Sequence, residues 1–585
     1  MIESVVRLSE RIKAKVWLII GSLLTCIPPA LAVDKTWNGG TGNWDTGTNW
    51  SPAIEPTAAD RVFINNGGTV QINTFADVSQ ALTLGSGAGN SGTLAIFGGG
   101  QLTSGGATNL GLGAGATGTA TIDGAGSFWR INNALVIGNA GTGTINITNG
   151  GLLYTATGSA ISIGGATGSN GTITVDGVGS TLRGNTPTNN TALRVGALGT
   201  GTLTVSNGGT VSNFSSIALG ALAGGTGTMT ITGAGSSVTA AAGVTIGAAG
   251  QGSLSILNGG ALNGGQTFVG RATISGFPLG TATIDGAGSR WTTTSLVVGS
   301  ASDGQLSVTN GAAITSTNVA VGGAGAASVT LNASTWDITA NQNSDLIVSS
   351  TAPAGAKMEV LNGSDIHLFH RLVVGSGASG TGSLLLDAST ITLDAAPVGG
   401  SAKSTEIGTG GTTTNSKGSL TIQNGSIATL NSQMLLGARG TGNEGTLLVQ
   451  DAGTNLMVTG GFVVGQNGVG HFQLLDNAVM SAGNFTSGGN VSAIAPSDSL
   501  VDNAILNITG NGLTPVGRLG TNGIATLDIQ NGGVVNMTAS AINDLEIAQA
   551  AGSVGTLTIG GTGGTLYVDQ VIGGMQDFED GGVIV

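Results

Sequence analysis

Apolar and polar residues alternate in short segments that recur roughly eighteen times between Gly92 and Ile559, about every 26 residues. The segment Gly143–Gly151 reads Gly-Thr-Ile-Asn-Ile-Thr-Asn-Gly-Gly, and Gly201–Gly209 reads Gly-Thr-Leu-Thr-Val-Ser-Asn-Gly-Gly. Alternation with a period of two and β-branched residues predicts a strand with one buried face. We call these segments the anchors; their fixed spacing predicts stacked units that bury their apolar faces against one another.

A second apolar segment that ends in glycine precedes most anchors by about nine residues. No helical apolar period intervenes, and Gly-rich corners separate the segments. Each unit therefore fits one coil of a parallel β-helix, and about 18 coils at ~4.8 Å predict an all-β rod on the order of 85–90 Å long. Examples of the second segment are Leu135–Gly138, Leu193–Gly196, Ile217–Gly220, Leu296–Gly299, Leu372–Gly375 and Phe462–Gly465.

The anchors end in two alternating ways, which doubles the period to about 53 residues. One ending is Asn-Gly-Gly and the other is Asp-Gly-x-Gly-Ser. Asn and Gly tolerate positive φ, and Asp before Gly is typical of turns. We predict that the following residues occupy repeat turns: Asp123, Asn149, Asp176, Asn207, Asn258 and Asp285.

Residues 1–32 have the pattern of a secretory signal peptide. A basic segment ends at Lys15 and is followed by an apolar segment, and Ala30 and Ala32 supply the small-x-small pattern that predicts cleavage before Val33. The alternative is an uncleaved membrane anchor. The apolar segment is shorter than the ~20 residues that span a bilayer and is interrupted by polar residues and prolines.

Three tryptophans, Trp37, Trp44 and Trp50, lie within fourteen residues, out of seven in the chain. A solenoid needs a cover on its terminal coil, because open strand edges template aggregation. We predict that residues 33–80 form this cap and the first coils; the alternative is a platform of indoles that binds sugar. The β-helical array is predicted over 81–565, and 566–585 is predicted as an irregular tail.

Composition excludes several classes of protein. Glycine accounts for 108 of 585 residues, yet 40% of residues are hydrophobic, only 8% are charged, and the mean hydropathy is +0.30. Disordered chains have the opposite character. The net charge is −13, and an acidic rod with few charges has no electrostatic footprint for nucleic acid.

Candidate chemistry is sparse. His367 and His370 are three residues apart, which on a strand places them on opposite faces and disfavours a shared metal. The recurring Asp residues lack the nonapeptide spacing of calcium-binding rolls. No nucleotide loop or catalytic triad is recognisable, so we predict no catalytic residues, no cofactor, no metal and no enzyme activity. The off-period stretches 337–356, 387–417 and 480–503 are predicted to be protruding loops.

The Trp-Asn-Gly-Gly-x-Gly-Asn-Trp opening at Trp37–Trp44, the Asn49-Trp50 pair and the Gly-Thr-x-x-Val-x-Asn-Gly-Gly anchors together resemble the passengers of bacterial autotransporters. More narrowly, they resemble the repeat shared by type V secretion passengers and PEP-CTERM proteins. This resemblance covers nearly all of residues 34–560. It implies a right-handed parallel β-helix that is secreted or displayed at the outer membrane of a Gram-negative bacterium, and a role in adhesion or biofilm formation.

An autotransporter is expected to continue into a C-terminal translocating barrel, which the sequence through Val585 does not contain. The leading hypothesis is an exported structural adhesin that contacts a host-cell, matrix or polysaccharide surface, self-associates, and is exported by a separate outer-membrane translocator. The alternatives are a carbohydrate-binding or polysaccharide-active β-helix, and a truncated autotransporter fragment without its barrel. A cleft lined by paired carboxylates and aromatic residues would favour the carbohydrate alternative.

Overall fold

The computed structural model describes residues 32–74, 77–156, 160–185, 191–271, 280–338, 344–395, 404–411, 415–488, 496–510, 516–537, 544–573, 575–578 and 583–584. About 61% of the chain is strand and 1% is helix, arranged as a parallel β-solenoid of about 18 turns. The predicted all-β parallel β-helix is therefore confirmed. The predicted signal peptide, including Ala30, lies outside the described residues except for its last residue, Ala32.

The anchors form one continuous parallel sheet, which we call the anchor sheet. From Ser91–Phe97 onward, neighbouring strands pair residue by residue without slippage; Ile145, for example, lies between Ala120 of the preceding coil and Ile173 of the next. The earlier strand Asn66–Ile72 pairs with Ser91–Phe97 through one register shift. Repeating the same pattern of residues therefore repeats the same backbone ladder. Within the described residues its strands are Thr41–Asn43, Asn66–Ile72, Ser91–Phe97, Thr117–Asp123, Thr142–Thr148, Asn170–Asp176, Thr200–Ser206, Thr226–Thr232, Gln251–Leu257, Gly280–Asp285, Gly304–Thr309, Ala327–Asn332, Ala356–Leu361, Thr381–Asp387, Lys417–Gln423, Glu444–Val449, Val469–Leu475, Ser497–Asp502, Ile524–Gln530, Val554–Gly560 and Met575–Phe578.

The remaining strands form a second sheet, the flanking sheet. Its first strand pairs antiparallel with Trp50–Ser51, and its other pairings are parallel. A 3-10 helix, Gly47–Asn49, precedes Trp50. The described strands are Asp34–Trp37, Trp50–Ser51, Arg61–Ile64, Asp77–Ser79, Ala81–Leu84, Gln101–Ser104, Thr108–Leu110, Phe128–Ile131, Leu135–Ile137, Leu152–Thr155, Ile161–Ile163, Thr181–Arg183, Ala192–Val195, Thr210–Leu219, Ser237–Ile246, Ala261–Val269, Arg290–Val298, Ala313–Val321, Thr335–Ile338, Asp345–Val348, Asp365–Leu368, Arg371–Ser376, Thr390–Leu393, Ser404–Thr409, Ile427–Leu430, Gln433–Ala438, Asn455–Val464, Val479–Ser487, Ile505–Ile508, Gly517–Leu519, Val534–Asn536, Asp544–Ile547, Thr565–Tyr567, Gln570–Ile572 and Val583–Ile584.

Each coil contributes two segments to the flanking sheet, as the second apolar segment predicts. In early coils they are separate, as in Phe128–Ile131 and Leu135–Ile137, whereas in the middle of the array they merge into single strands such as Thr210–Leu219. A coil thus has three faces around one interior.

The interior is a set of aliphatic columns that run along the rod. One column includes Ile122, Ile147 and Val175 and continues through Ile422 to Ile559. These side chains are fully buried, at 0% exposure. Burying apolar area contributes about 25 cal/mol per Å², so the stacking of columns is the main source of stability.

Glycine at the start of the anchor is required by a close backbone approach. A Cβ on Gly143 would lie 2.2 Å from the backbone nitrogen of Gly138, where the preceding segment turns the corner with φ of 66°. Any side chain at Gly143 would clash with backbone, so this corner explains why the anchors begin with glycine.

Two sequence-based predictions are wrong. The off-period stretches 337–356, 387–417 and 480–503 contain strands of the solenoid, including Asp345–Val348 and Ser404–Thr409, and are not simply protruding loops. The segment 566–585 is not an irregular tail either, because Met575–Phe578 and Val583–Ile584 pair in parallel with the preceding coil. In the off-period stretches, inserted residues shift the strands out of the period of about 26 residues, but the solenoid continues through them.

No helix in the described part of the chain is long and apolar enough to cross a membrane.

Candidate functional site

The three N-terminal tryptophans are packed inside the first coil. Trp37, Trp44 and Trp50 are 0–1% exposed, and Trp50 meets the other two edge-to-face at centroid distances of 4.9 and 5.1 Å. The indole nitrogen of Trp50 donates to the carbonyl of Trp44 at 2.7 Å, and that of Trp37 to the carbonyl of Gly40 at 3.1 Å. Buried indole faces cannot stack on an exposed sugar, so this placement fits a cap and not a sugar platform.

The predicted asparagine turns adopt left-handed backbone conformations. Asn149, Asn207 and Asn258 have φ of 52°, 51° and 52° and follow directly on the ends of anchor strands. Asn is among the few residues besides Gly that occupy this region at low cost.

The predicted aspartate turns have a further role that the sequence analysis missed. Asp123, Asp176 and Asp285 are the last residues of their anchor strands, and each binds the next coil. Asp123 Oδ1 accepts from Thr148 Oγ1 at 2.7 Å and from Asn149 Nδ2 at 2.6 Å. The two predicted kinds of turn therefore meet, one from each of two consecutive coils.

The same contact recurs along the rod. Asp176 accepts from Ser206 and Asn207 at 2.6 and 2.7 Å, and Asp285 accepts from Thr309 and Asn310 at 2.6 Å each. The hydrogen bonds from Thr309 and Asn310 lower the pKa of Asp285 below its usual value, because they stabilise the carboxylate. These residues hold coils together and are structural.

The outward face of the anchor sheet carries two ladders of short polar side chains. They are half-buried, and parallel in-register pairing sets them ~4.8 Å apart along the rod. We call them the hydroxyl ladders. The first consists of Thr93, Thr119, Thr144, Thr172, Thr202, Thr228, Ser253 and Thr281, and the second of Thr121, Asn146, Thr174, Thr204, Thr230, Ser255 and Thr283.

A half-buried aromatic pair lies on the outward face of the flanking sheet. Phe128 stacks on Tyr154 with a centroid distance of 6.3 Å and an interplanar angle of 22°, and the guanidinium of Arg183 lies 4.6 Å from the Tyr154 ring centroid. The hydroxyl of Tyr154 donates to Asn185 Oδ1 at 3.0 Å. We call these four residues the tyrosine patch; no sequence motif had indicated it, because its members come from three consecutive coils.

A buried carboxylate lies in a recess further along the flanking sheet. Glu406 is 2% exposed, accepts hydrogen bonds from Ser404 and Thr409 at 3.0 and 2.9 Å, and pairs with Arg439. The recess, of about 230 Å³, is also lined by Arg371. Glu406 is the one carboxylate among the described residues that line it, and it is neutralised by an arginine. The pair of free carboxylates that glycoside hydrolysis uses is not found there.

The three histidines contact separate carboxylates and do not meet. His367 Nε2 lies 2.8 Å from Asp394, His370 Nδ1 lies 2.6 Å from Asp345, and His471 pairs with Asp498. The hydrogen bonds that the imidazoles donate to Asp394 and Asp498 stabilise the protonated rings and raise the pKa of both His367 and His471. In the portion of the chain that the structure describes, no group of three or more His, Cys, Asp or Glu is placed to hold a metal ion.

Comparison with known proteins identifies no relative. No protein-family model matches the chain, and no curated protein matches its sequence.

Proposed function

We propose that this chain is an exported, passenger-like structural adhesin of a Gram-negative bacterium, secreted or held at the cell surface. The observation that supports it is the pair of hydroxyl ladders, which present the same short polar groups coil after coil on a rigid face. Many weak identical contacts on one rod add through effective concentration. Such a surface suits a repetitive partner, such as a matrix or polysaccharide surface, or a second rod.

The proposal includes no catalytic step, cofactor or nucleic acid. The rod is exported through a signal peptide at residues 1–32, and a separate translocator carries it across the outer membrane. A truncated autotransporter fragment would share this fold, and it is distinguished by the absence of attachment activity.

The first experiment deletes the gene and measures attachment to abiotic and polysaccharide surfaces together with self-aggregation. We expect both to fall, and complementation with the full chain to restore them. Unchanged attachment and aggregation in the deletion strain would contradict the proposal.

A second experiment tests the hydroxyl ladders directly. Thr119→Val, Thr144→Val and Thr172→Val combined keep side-chain shape and strand preference while removing three adjacent hydroxyls. A matched control changes three outward threonines of the flanking sheet, Thr210, Thr292 and Thr315, to valine. We expect the ladder variant to lose attachment and the control to retain it, with both equally folded by circular dichroism.

Carbohydrate binding is a second candidate, favoured by the tyrosine patch. A partly exposed ring, a guanidinium and an amide in one place can contact sugar faces, acidic groups and hydroxyls. Binding of Tyr154→Ala and wild-type protein to a polysaccharide panel distinguishes the candidates, because the hydroxyl ladders lie on the other sheet.

A further inference from the structure

The first described coil contains a carboxylate that binds the backbone nitrogen of Val33. The Val33 amide donates to Asp60 Oδ1 at 3.1 Å. Asp60 itself is only 5% exposed, whereas Val33 is 40% exposed and Ala32 is on the surface. The buried acid therefore binds the backbone nitrogen of an exposed residue.

Asp60 is held rigidly in this position. Its other oxygen, Oδ2, accepts from the backbone nitrogen and the hydroxyl of Thr57, both at 2.9 Å. Its backbone carbonyl accepts from Gln80 of the next coil at 2.8 Å. Burial by itself raises the pKa of Asp60, but the hydrogen bonds from Thr57 and Val33 and the charge of Lys35 outweigh it, so that the net pKa is lowered. The carboxyl group is thus ionised at neutral pH.

Val33 also directly precedes the first strand of the flanking sheet. Its carbonyl accepts from the backbone nitrogen of Arg61 at 3.1 Å, and the first strand, Asp34–Trp37, then pairs with Arg61–Ile64. The small-x-small pattern independently predicts cleavage before the same residue. The leader sequence and the hydrogen bonds of the fold therefore both single out the peptide bond between Ala32 and Val33.

We propose that Asp60 is the counter-ion for an α-ammonium group on Val33, formed when the Ala32–Val33 peptide bond is hydrolysed. A signal peptidase of the host catalyses this hydrolysis, which consumes one water molecule from solvent. It leaves a carboxylate on Ala32 and an amine on Val33. The amine takes a proton at neutral pH, and its positive charge then lies where the amide nitrogen now contacts Asp60. This inference rests on the export that the proposed function assumes.

The other charged groups near Val33 leave Asp60 free to pair with an ammonium group on that residue. Lys35 is 4% exposed, but its ammonium group is directed to the carbonyl of Ile54 at 3.0 Å, so it does not occupy Asp60 Oδ1. Asp34 is the other nearby acid, and it is exposed and paired with Arg61 at 2.6 Å. Asp60 is consequently the acid that an ammonium on Val33 meets directly, and Asp34 offers a control on the neighbouring residue.

The first test produces the full chain in a Gram-negative host, separates cytoplasmic from exported fractions, and measures intact mass. We expect exported protein that begins at Val33. Export with cleavage at a different bond would overturn this inference and leave the proposed function standing. Protein that stays in the cytoplasm with its leader intact would overturn both.

The second test measures how fast an α-amine-selective reagent labels the exported protein at neutral pH. An ammonium held by a carboxylate reacts slowly because less of it is the free amine. We expect Asp60→Asn to label about ten times faster than wild type, and Asp34→Asn to label at the wild-type rate. Equal rates in wild type and Asp60→Asn would overturn the ion pair.

A third measurement needs no variant, in case Asp60→Asn fails to fold. The pH dependence of labelling in wild-type protein reports the pKa of the Val33 amine beside Asp60, Asp34, Lys35 and Arg61. We expect half-maximal labelling above pH ~8, which is the ordinary value for an α-amine, and a midpoint at or below it would overturn the proposal.

Discussion

The coils before and after Trp336 share one interior but carry charge in different ways. Residues 81–336 contain 5 basic and 4 acidic residues, a net charge of +1, whereas residues 337–585 contain 6 basic and 19 acidic residues, a net charge of −13. We call these the neutral half and the acidic half. The aliphatic columns run through both without interruption.

Cations in the two halves have different surroundings. Within the described residues of the neutral half, no carboxylate pairs with Arg130, Arg183, Arg194, Arg271 or Arg290. In the acidic half, every described lysine and arginine is ion-paired: Lys357, Arg371, Lys417, Arg439 and Arg518.

The pairs in the acidic half follow from strand register. Asp345 lies directly opposite Arg371, Lys417 opposite Glu444, and His471 opposite Asp498, each on consecutive coils. In-register parallel strands place equivalent side chains about 5 Å apart, so like charges repel and opposite charges attract. A solenoid surface therefore tolerates charge where the sign changes from one coil to the next, and otherwise carries hydroxyls.

The largest expected effect tests whether the two interiors are equivalent. Ile147 and Ile422 occupy the same buried column in the neutral and the acidic half. We expect Ile147→Ala and Ile422→Ala each to lower local stability by about 2–5 kcal/mol, since each leaves a cavity. Hydrogen exchange with mass spectrometry reports this coil by coil, and Ile→Val at each position is the milder control. A much larger loss in one half would show that the interiors differ.

The next largest effect distinguishes the surface charges of the acidic half, which are ion-paired, from those of the neutral half. Asp345 is bound by both His370 and Arg371, at 2.6 and 2.7 Å, and its side chain is 17% exposed. We expect Asp345→Asn to destabilise the acidic half by about 2 kcal/mol, because a partly buried charged hydrogen bond is lost. Arg290→Gln, which breaks no ion pair, is expected to change stability by less than about 0.5 kcal/mol. Equal thermal shifts for the two variants would contradict the distinction.

A smaller effect concerns a contact that both halves share. Asp285 binds Thr309 and Asn310, and Asp387 binds Gln423 and Asn424 in the same way. We expect Asp285→Ala and Asp387→Ala to cost about 1 kcal/mol each in urea unfolding. Because its pKa is lowered, the contribution of Asp285 is present above pH 3.8 and is lost as the pH falls through the folded-state value. A stability loss for Asp285→Ala that persists at pH 2 would indicate another cause.

The smallest effect is a pH dependence confined to the acidic half, which contains all three histidines. The raised pKa values of His367 and His471 mean that their pairs stabilise the fold fully below pH 6.5 and lose this contribution as the pH rises through the folded-state pKa. We expect a decrease on the order of 0.5 kcal/mol per pair between pH 6 and 8, since both pairs are partly exposed. His471→Gln should abolish its share, and a similar decrease in the neutral half would refute the assignment.

The sequence predicted those parts of the fold that depend on residues within a single coil. Alternation in Gly201–Gly209 specifies a strand, and Asn207 followed by two glycines specifies its turn, because both depend only on neighbouring residues. Strands such as Ser404–Thr409 were missed, since insertions of variable length moved them out of the period.

Contacts between coils were not predictable in the same way. Asp387 reaches Asn424 across 37 positions, whereas Asp123 reaches Asn149 across 26. Tyr154 and Arg183 contact each other because their strands are paired in register on neighbouring coils, whatever the length of the chain between them. Register between coils must be known before a carboxylate, an amide or a ring can be assigned its partner, and a single sequence does not supply that register.

The alternating endings of the anchors give the rod two kinds of joint. Asp123 joins its coil to the next through two short bonds to a carboxylate, and the following junction relies on the hydroxyl of Ser180, which accepts from the Gly150 backbone nitrogen at 3.1 Å. Asp176 then starts another firmly joined pair. Both junctions share the same seven-residue backbone ladder, so they differ in these side-chain bonds. We therefore expect a filament pulled from its two ends to part first at the hydroxyl joints and to lengthen in increments of two coils, the 53 positions between Asp123 and Asp176.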